Sequence, residues 1–250
     1  MPTLEFKGKQ YIYSHHHSVP FRELRVDSKK SLPAHGKKPN LDDNLIIHGD
    51  NLHALKALMP QYAGKINCIY IDPPYNTGNE GWCYNDNVNS PLMKEWISKN
   101  ANPVDKEDMQ RHDKWLCMMY PRLKLLHELL ADDGVIFVSI DDNEQHNLRA
   151  VMDEIWGEQN FINNVIWQKK YAASNDAKYF SDNHDFIICF AKNRDAWVRH
   201  LLPRTEKQDS LYKYDSNDGK GLWRSDNLTV KTYSAEYDYE IKNPLKDKLY

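Results

Sequence analysis

The chain has 250 residues, of which 40% are hydrophobic, and 33 Lys plus Arg stand against 36 Asp plus Glu for a formal net charge of −3. That is enough apolar chain for one α/β domain with an insertion, while the charge balance excludes a protein that coats nucleic acid by bulk attraction, so any DNA contact must come from local patches. No signal peptide or membrane-length apolar run is present, and Cys68, Cys83, Cys117 and Cys189 lack the paired spacing of a disulfide frame or zinc site, which predicts reduced, mostly buried thiols in a cytoplasmic protein.

Residues 1–40 read as a polar arm carrying His15-His16-His17 and the basic pairs Lys29-Lys30 and Lys37-Lys38. A DNA-backbone arm and a solvated leader both fit that composition, and the leader is favoured because short charge runs usually mark solvated segments. The histidines are too few and too adjacent to make a convincing metal site. Residues 45–49 (Leu45-Ile46-Ile47-His48-Gly49) read as a strand. Asp50 then stands as a helix N-cap, ahead of Leu52, Leu55, Leu58 and Met59 on one face.

Ile66-Asn67-Cys68-Ile69-Tyr70-Ile71 reads as a buried strand, and Asp72-Pro73-Pro74-Tyr75 ends it. Proline cannot donate to a sheet ladder and fixes its own φ, so the pair makes a rigid loop at the carboxyl end of a strand. That end is the usual ligand edge of an open α/β sheet. A carboxylate, two carbonyls of fixed direction and an aromatic ring at such an edge suit a planar, amine-bearing ring. The exocyclic amine of adenine is a poor nucleophile because its lone pair is delocalised. The Asp72 carboxylate and the Pro73 carbonyl can each accept one of its N–H groups and draw the nitrogen towards tetrahedral geometry, which is electrostatic preorganisation more than base catalysis. Tyr75 supplies a π face for a base taken out of the duplex. The tetrapeptide alone is weak evidence, since a strand ended by a Pro-Pro turn beside a packed tyrosine looks the same.

A long polar segment follows from Asn76 to Lys106, and its departure from the Asp-Pro-Pro-Tyr loop fits a flap, with Trp82 and Tyr84 as stacking or packing aromatics. Residues 108–131 read as a helix with Trp115, Met119, Leu123, Leu126 and Leu130 as its apolar positions, kinked or restarted at Pro121. Residues 135–140 are uniformly apolar and read as a central strand. Asp141 and Glu144 fit a capping box for a helix bearing Leu148, Val151, Met152, Ile155 and Trp156, with Gly157 as its stop. Residues 164–167 and 186–190 read as a strand pair. The loop between them begins Gln168-Lys169-Lys170 and fits either phosphate contact or an exposed hairpin loop. From residue 203 the chain is polar and Tyr-rich, without clear periodicity.

Four of these segments together carry a resemblance. Residues 45–52, with Gly49-Asp50-Asn51, the loop Asp72-Pro73-Pro74-Tyr75-Asn76-Thr77-Gly78, the strand and turn at 134–144, and the strand at 184–193 occur in the order found in DNA adenine N6-methyltransferases whose catalytic tetrapeptide lies near the N-terminus. The resemblance is nearest to the modification subunits of type III restriction-modification systems. It implies an α/β, Rossmann-like methyltransferase fold and methyl transfer from S-adenosylmethionine to adenine N6 in DNA. Asp72, Pro73, Pro74 and Tyr75 would be catalytic. Asp50 and Asn51 would lie near the cofactor, Asp50 also serving as cap. Asn76, Lys169 and Lys170 would face DNA.

The family's Phe-x-Gly-x-Gly cofactor loop is missing from these 250 residues, and Asp218-Gly219-Lys220-Gly221 looks like a turn instead. The resemblance therefore implies an incomplete fold, an N-terminal portion of a longer enzyme. Its parts would be an arm at 1–40, a methyltransferase region at 41–202 and the start of a target-recognition insertion at 203–250. Expected partners are DNA, the missing C-terminal part, a second modification subunit and a restriction subunit, with no membrane. Other readings are a non-catalytic DNA- or partner-binding remnant, and a cytosine N4-methyltransferase, which usually has Ser in place of Asp72. A protein-glutamine or RNA methyltransferase usually has Asn there.

Overall fold

A computed structural model describes residues 3–33, 35–79, 81, 95, 111–172, 179–226, 235 and 240. Most of the expected flap, including Trp82 and Tyr84, lies outside the described residues, as does Cys83. The chain divides into two compact units, 1–198 and 199–250.

The first unit is built on a mixed sheet of four strands in the order β1-β2-β4-β3. These are β1 (Ile66–Ile71), β2 (Leu130–Ile140), β3 (Phe161–Gln168) and β4 (His184–Ala191). β1 and β2 are parallel, and β4 runs antiparallel to both β2 and β3. A parallel pair needs a crossover, supplied here by α4 (Arg111–Leu129). The apolar run at 135–140 occupies the centre of the sheet, as its composition predicts, with Val135, Ile136, Val138 and Ile140 buried. Helix α5 (Gln145–Trp156) turns Leu148, Val151, Met152 and Trp156 inward and stops at Gly157, whose φ of 84° suits glycine. Trp115, Tyr120 and Leu123 of α4 join those residues and Phe190 of β4 in one core. Within β2 a second glycine is required. A Cβ on Gly134 would lie 2.7 Å from the Ile66 carbonyl oxygen and 2.9 Å from that of Ala131.

Three expectations are corrected. Residues 45–49 are extended but unpaired among the described residues, and Ile46 is fully exposed. An extended segment becomes a strand only where a neighbour takes its N–H and C=O groups, and β1 pairs only with β2 among the described residues. Helix α4 runs through Pro121 without a break. The Arg122 guanidinium donates to the Met118 carbonyl at 2.7 Å, next to the Cys117 carbonyl that Pro121 leaves without its helical donor.

The N-terminal arm is no solvated leader over its first half. α1 (Lys9–Ile12) and α2 (His15–Ser18) pack on α4. Ile12 is buried in the main core, and Val19 packs with Leu52 and Leu125. Polar groups were turned inward as well: Lys9 Nζ donates to the Leu4 carbonyl at 2.7 Å and to Glu154 Oε2 at 2.9 Å, and Lys56 Nζ donates to the His16 carbonyl at 2.9 Å. Only residues 20–44 match the expectation, being mostly exposed.

The Lys9–Glu154 pair gives a test of this docking, since its side chains are only 8% and 16% exposed. Lys9→Ala leaves the Glu154 carboxylate without its cation, and stability is expected to fall by about 1–3 kcal/mol. Denaturant midpoints measure this, and Glu154→Gln in the same background should recover part of it. An unchanged midpoint in Lys9→Ala would mean the arm is not docked.

Helix α3 (Asn51–Tyr62) begins at Asp50, whose carboxylate accepts from the His53 N–H at 3.1 Å, as its N-cap position predicts. In the second unit, α6 (Glu206–Asp209) carries a capping box from Thr205 and Gln208, and Tyr214 bridges Trp223. Asp218-Gly219-Lys220-Gly221 is indeed a turn, with the Lys220 N–H donating to Asp218.

Candidate active site

The carboxyl end of β1 delivers Asp72, Pro73, Pro74 and Tyr75 in sequence. Asp72 and Pro74 are exposed, and Pro73 and Tyr75 are half-buried. Helix α4 fixes this loop from below, because Trp115 Nε1 donates to the Pro74 carbonyl at 2.6 Å. That bond separates the two proline carbonyls. Pro74 is engaged by the fold, whereas no hydrogen bond falls on the Pro73 carbonyl among the described residues. The Tyr75 hydroxyl lies near the Asp72 carboxylate. Burial first, and that carboxylate second, push its pKa up, so it stays protonated.

Asn76 does not face outward. Its side chain is fully buried and its backbone is left-handed, with φ 61°. Its Nδ2 donates to the Arg111 carbonyl at 3.1 Å and to Glu144 Oε1. The expected DNA contact is therefore replaced by an internal tie. Glu144 is likewise not the capping-box partner of Asp141. It is fully buried, with Oε1 also accepting from His112 Nδ1 at 2.7 Å and Oε2 from Asn147 Nδ2 at 2.8 Å. Burial pushes its carboxyl pKa up, and the donors Asn147, Asn76 and His112 pull it back in part. Asp141 instead closes a turn on Asn143, accepting from its N–H at 2.9 Å and its Nδ2 at 2.8 Å. Burial raises the Asp141 pKa against those bonds.

Lys169 and Lys170 sit where β3 leaves the same edge, but they differ. Lys169 Nζ is held between Asp185 Oδ1 at 2.9 Å and Asp182 Oδ2 at 3.0 Å. Burial alone would lower its pKa, and the two carboxylates outweigh that and raise it. Its charge is spent internally, so a phosphate contact at this edge falls to Lys170, which is exposed. Asp50 is exposed and keeps one carboxylate oxygen beyond its capping bond. The Asn51 side-chain oxygen accepts from Arg122 Nε at 2.7 Å.

The structure thus adds Trp115, His112 and Glu144 to the surroundings of the Asp-Pro-Pro-Tyr loop. Trp115 reads as an ordinary apolar helix position in the sequence. Glu144 follows Asp141 at capping-box spacing, which hid it. Among the described residues, His16, His17 and Glu128 bring possible metal ligands within 4.8 Å of one another. The two rings are tilted by 39° with 3.9 Å between centroids. Burial first, then His17, Lys124 and Lys56, lower the His16 pKa to about 4. Two nearby ammonium groups oppose a dication, and the cluster is a packing feature.

Tyr75 can be tested by its ring and its hydroxyl separately. Tyr75→Phe keeps the ring face and removes only the hydroxyl, so DNA methylation and affinity should be largely retained. Tyr75→Ala removes a stacking surface worth roughly 1–3 kcal/mol per base. Affinities for DNA with a mismatched or abasic target position discriminate the two. Equal losses in both variants would rule out stacking.

A family model described as DNA methylase matches residues 66–246. The Mod subunit of the type III restriction-modification enzyme StyLTI from Salmonella typhimurium is 35% identical over 251 residues, covering 96% of this chain and 38% of that protein. The EcoPI Mod subunit from Escherichia phage P1 is 37% identical over 204 residues, covering 77% of this chain and 31% of that protein. The type II methyltransferase M.KpnI from Klebsiella pneumoniae is 32% identical over 186 residues, covering 74% and 40% respectively. The chain thus spans between 31% and 38% of the length of these two type III relatives. Among solved structures, an M1.HpyAVI–SAM complex aligns with a TM-score of 0.37 and 15% identity over 64% of this chain and 60% of that one, too low to bear on the chemistry.

Proposed function

Because the chain belongs to the DNA methylase family matched over residues 66–246, we propose that it is the catalytic-loop region of a DNA adenine N6-methyltransferase, acting as the modification component of a type III restriction-modification system. The observation that carries this reading is the pairing of an exposed Asp72 carboxylate with a Pro73 carbonyl that accepts no hydrogen bond among the described residues, on a loop pinned by Trp115 and Asn76. Two acceptors held in place suit the two N–H groups of an exocyclic amine, and holding them before the base arrives removes the reorganisation cost. Tyr75 is placed to stack the flipped base. An aspartate at position 72 favours adenine over cytosine as target.

S-adenosylmethionine is the methyl donor in this reading, supplying a sulfonium-bound methyl group. The residues present fit it only in part. Asp50 keeps an exposed carboxylate oxygen, whereas Asn51 is committed to Arg122 and no Gly-rich cradle occurs in the sequence. We therefore place the remaining cofactor contacts on further residues of a longer subunit, in keeping with the lengths of the type III relatives. The division into an arm at 1–40, a catalytic region at 41–202 and a target-recognition start at 203–250 belongs to this proposal. So do partnership with DNA, a second modification subunit and a restriction subunit, and a cytoplasmic location. Among the described residues no helix is long and apolar enough to cross a membrane.

The test is methylation of duplexes by the full-length protein, comparing ordinary DNA with DNA in which purine lacking the 6-amino group replaces every adenine. Methyl incorporation is expected only in the first. Incorporation in both would remove the adenine amine from the reaction.

A further inference from the structure

We propose that Glu144 is a positioning residue for methyl transfer, a buried anchor that sets the aim of the catalytic loop through Asn76. The inference rests on the methyltransferase reading above and concerns a residue outside the Asp-Pro-Pro-Tyr loop.

Three donors, from the loop, α4 and α5, meet at its carboxylate. Asn76, the first residue after Tyr75, donates to Oε1. His112, in the first turn of α4, donates to the same oxygen at 2.7 Å. Asn147, in the first turn of α5, donates to Oε2 at 2.8 Å. Glu144 itself sits at the N-cap of α5 yet makes no side-chain cap bond. A fully buried carboxylate diverted from a capping role is costly unless its bonds serve something. Here they fix the one loop residue with left-handed, non-glycine backbone among the described residues of the first unit. That conformation is uncommon for a residue with a side chain. It turns the chain directly after Tyr75, so Asn76 must stay there for Asp72, Pro73 and Tyr75 to keep their directions. The second tie of Asn76, to the Arg111 carbonyl, and the Trp115 bond to Pro74 both come from α4. Glu144 adds the link from the loop to α5 and to the end of β2, which neither of those bonds provides.

A positioning group acts on the chemical step more than on binding. Misplacing a reacting group by about 1 Å can cost on the order of a hundredfold in rate. Glu144→Ala removes the anchor. Glu144→Gln keeps an oxygen for Asn76 and His112, and Asn147 can rotate to offer its own oxygen to the new amide. Asn76→Gly removes the tie from the other side while keeping a residue at ease with φ near 61°.

The experiment measures single-turnover methylation of adenine-containing DNA by the full-length protein at saturating DNA and S-adenosylmethionine, with binding constants measured separately. Glu144→Ala and Asn76→Gly are each expected to slow the step by about tenfold to a hundredfold, with both affinities within about twofold of wild type. Glu144→Gln should retain most of the rate. The double variant should be no slower than the worse single one, because both break the same tie. If Glu144→Ala does not fold, Asn76→Gly carries the test alone. A folded variant of either kind with the wild-type rate overturns the proposal, as does a loss confined to thermal stability. Wild-type protein that fails to methylate adenine removes the underlying reading and the proposal with it.

Discussion

Asp72→Ala in the full-length protein is expected to abolish measurable methylation, with a loss on the order of a hundredfold or more, while the fold survives. The size follows from removing one preorganised electrostatic partner at the reacting centre. Survival of the fold follows from the position. Asp72 is exposed, and no hydrogen bond of its side chain ties it to the core among the described residues. Trp115 and Asn76 hold the loop through Pro74 and α4, independently of that carboxylate. Circular dichroism and the denaturation midpoint should match wild type, and cofactor affinity should be little changed. Near-normal turnover in Asp72→Ala would falsify the assignment of this loop.

Residues 1–250 expressed alone are expected to bind S-adenosylmethionine weakly, to transfer no methyl group and to self-associate. The cofactor argument is chemical: no Gly-rich loop occurs in the sequence to let backbone approach a nucleotide closely. The association argument is physical. Val165, Ile166 and Trp167 of β3 are 43%, 58% and 60% exposed, Tyr70 of β1 is 61% exposed, and Ile46 is fully exposed. Strand edges left open among the described residues and exposed apolar side chains of this kind favour association unless covered. Labelled methyl transfer and analytical ultracentrifugation measure both effects. A soluble monomer that methylates DNA would contradict the prediction and place the cofactor site on residues within this chain.

What was legible in the sequence was whatever local rules decide. The run at 66–71 followed by two prolines is a strand with a hard stop, but it lies at the edge of the described sheet with only Ile69 buried, not the buried strand its composition suggests. The run at 135–140 is too apolar to lie at an edge, and it lies between two strands. Asp50 caps α3 and Gly157 ends α5 because those choices depend on neighbours in sequence. Tertiary context decided the rest. Residues 45–49 have a strand's composition, but a strand needs a partner. Lys9 and His16 look like surface residues until Glu154 and Lys56 take up their polar groups. Lys169 looks like a phosphate contact until Asp182 and Asp185, thirteen and sixteen positions away, neutralise it. Glu144 satisfied a capping pattern so well that nothing local signalled its burial. Asn76, adjacent to the catalytic tetrapeptide, was expected to face DNA for the same reason: proximity in sequence says nothing about which way a left-handed residue points.

The central claim is that this loop methylates adenine at N6, and product identification tests it most directly. DNA treated with full-length protein and S-adenosylmethionine carrying an isotopically labelled methyl group would be digested to nucleosides and separated by mass. The account predicts label in N6-methyldeoxyadenosine and in no other nucleoside, and its disappearance with Asp72→Ala. Label in N4-methyldeoxycytidine, or none in DNA at all, would contradict it.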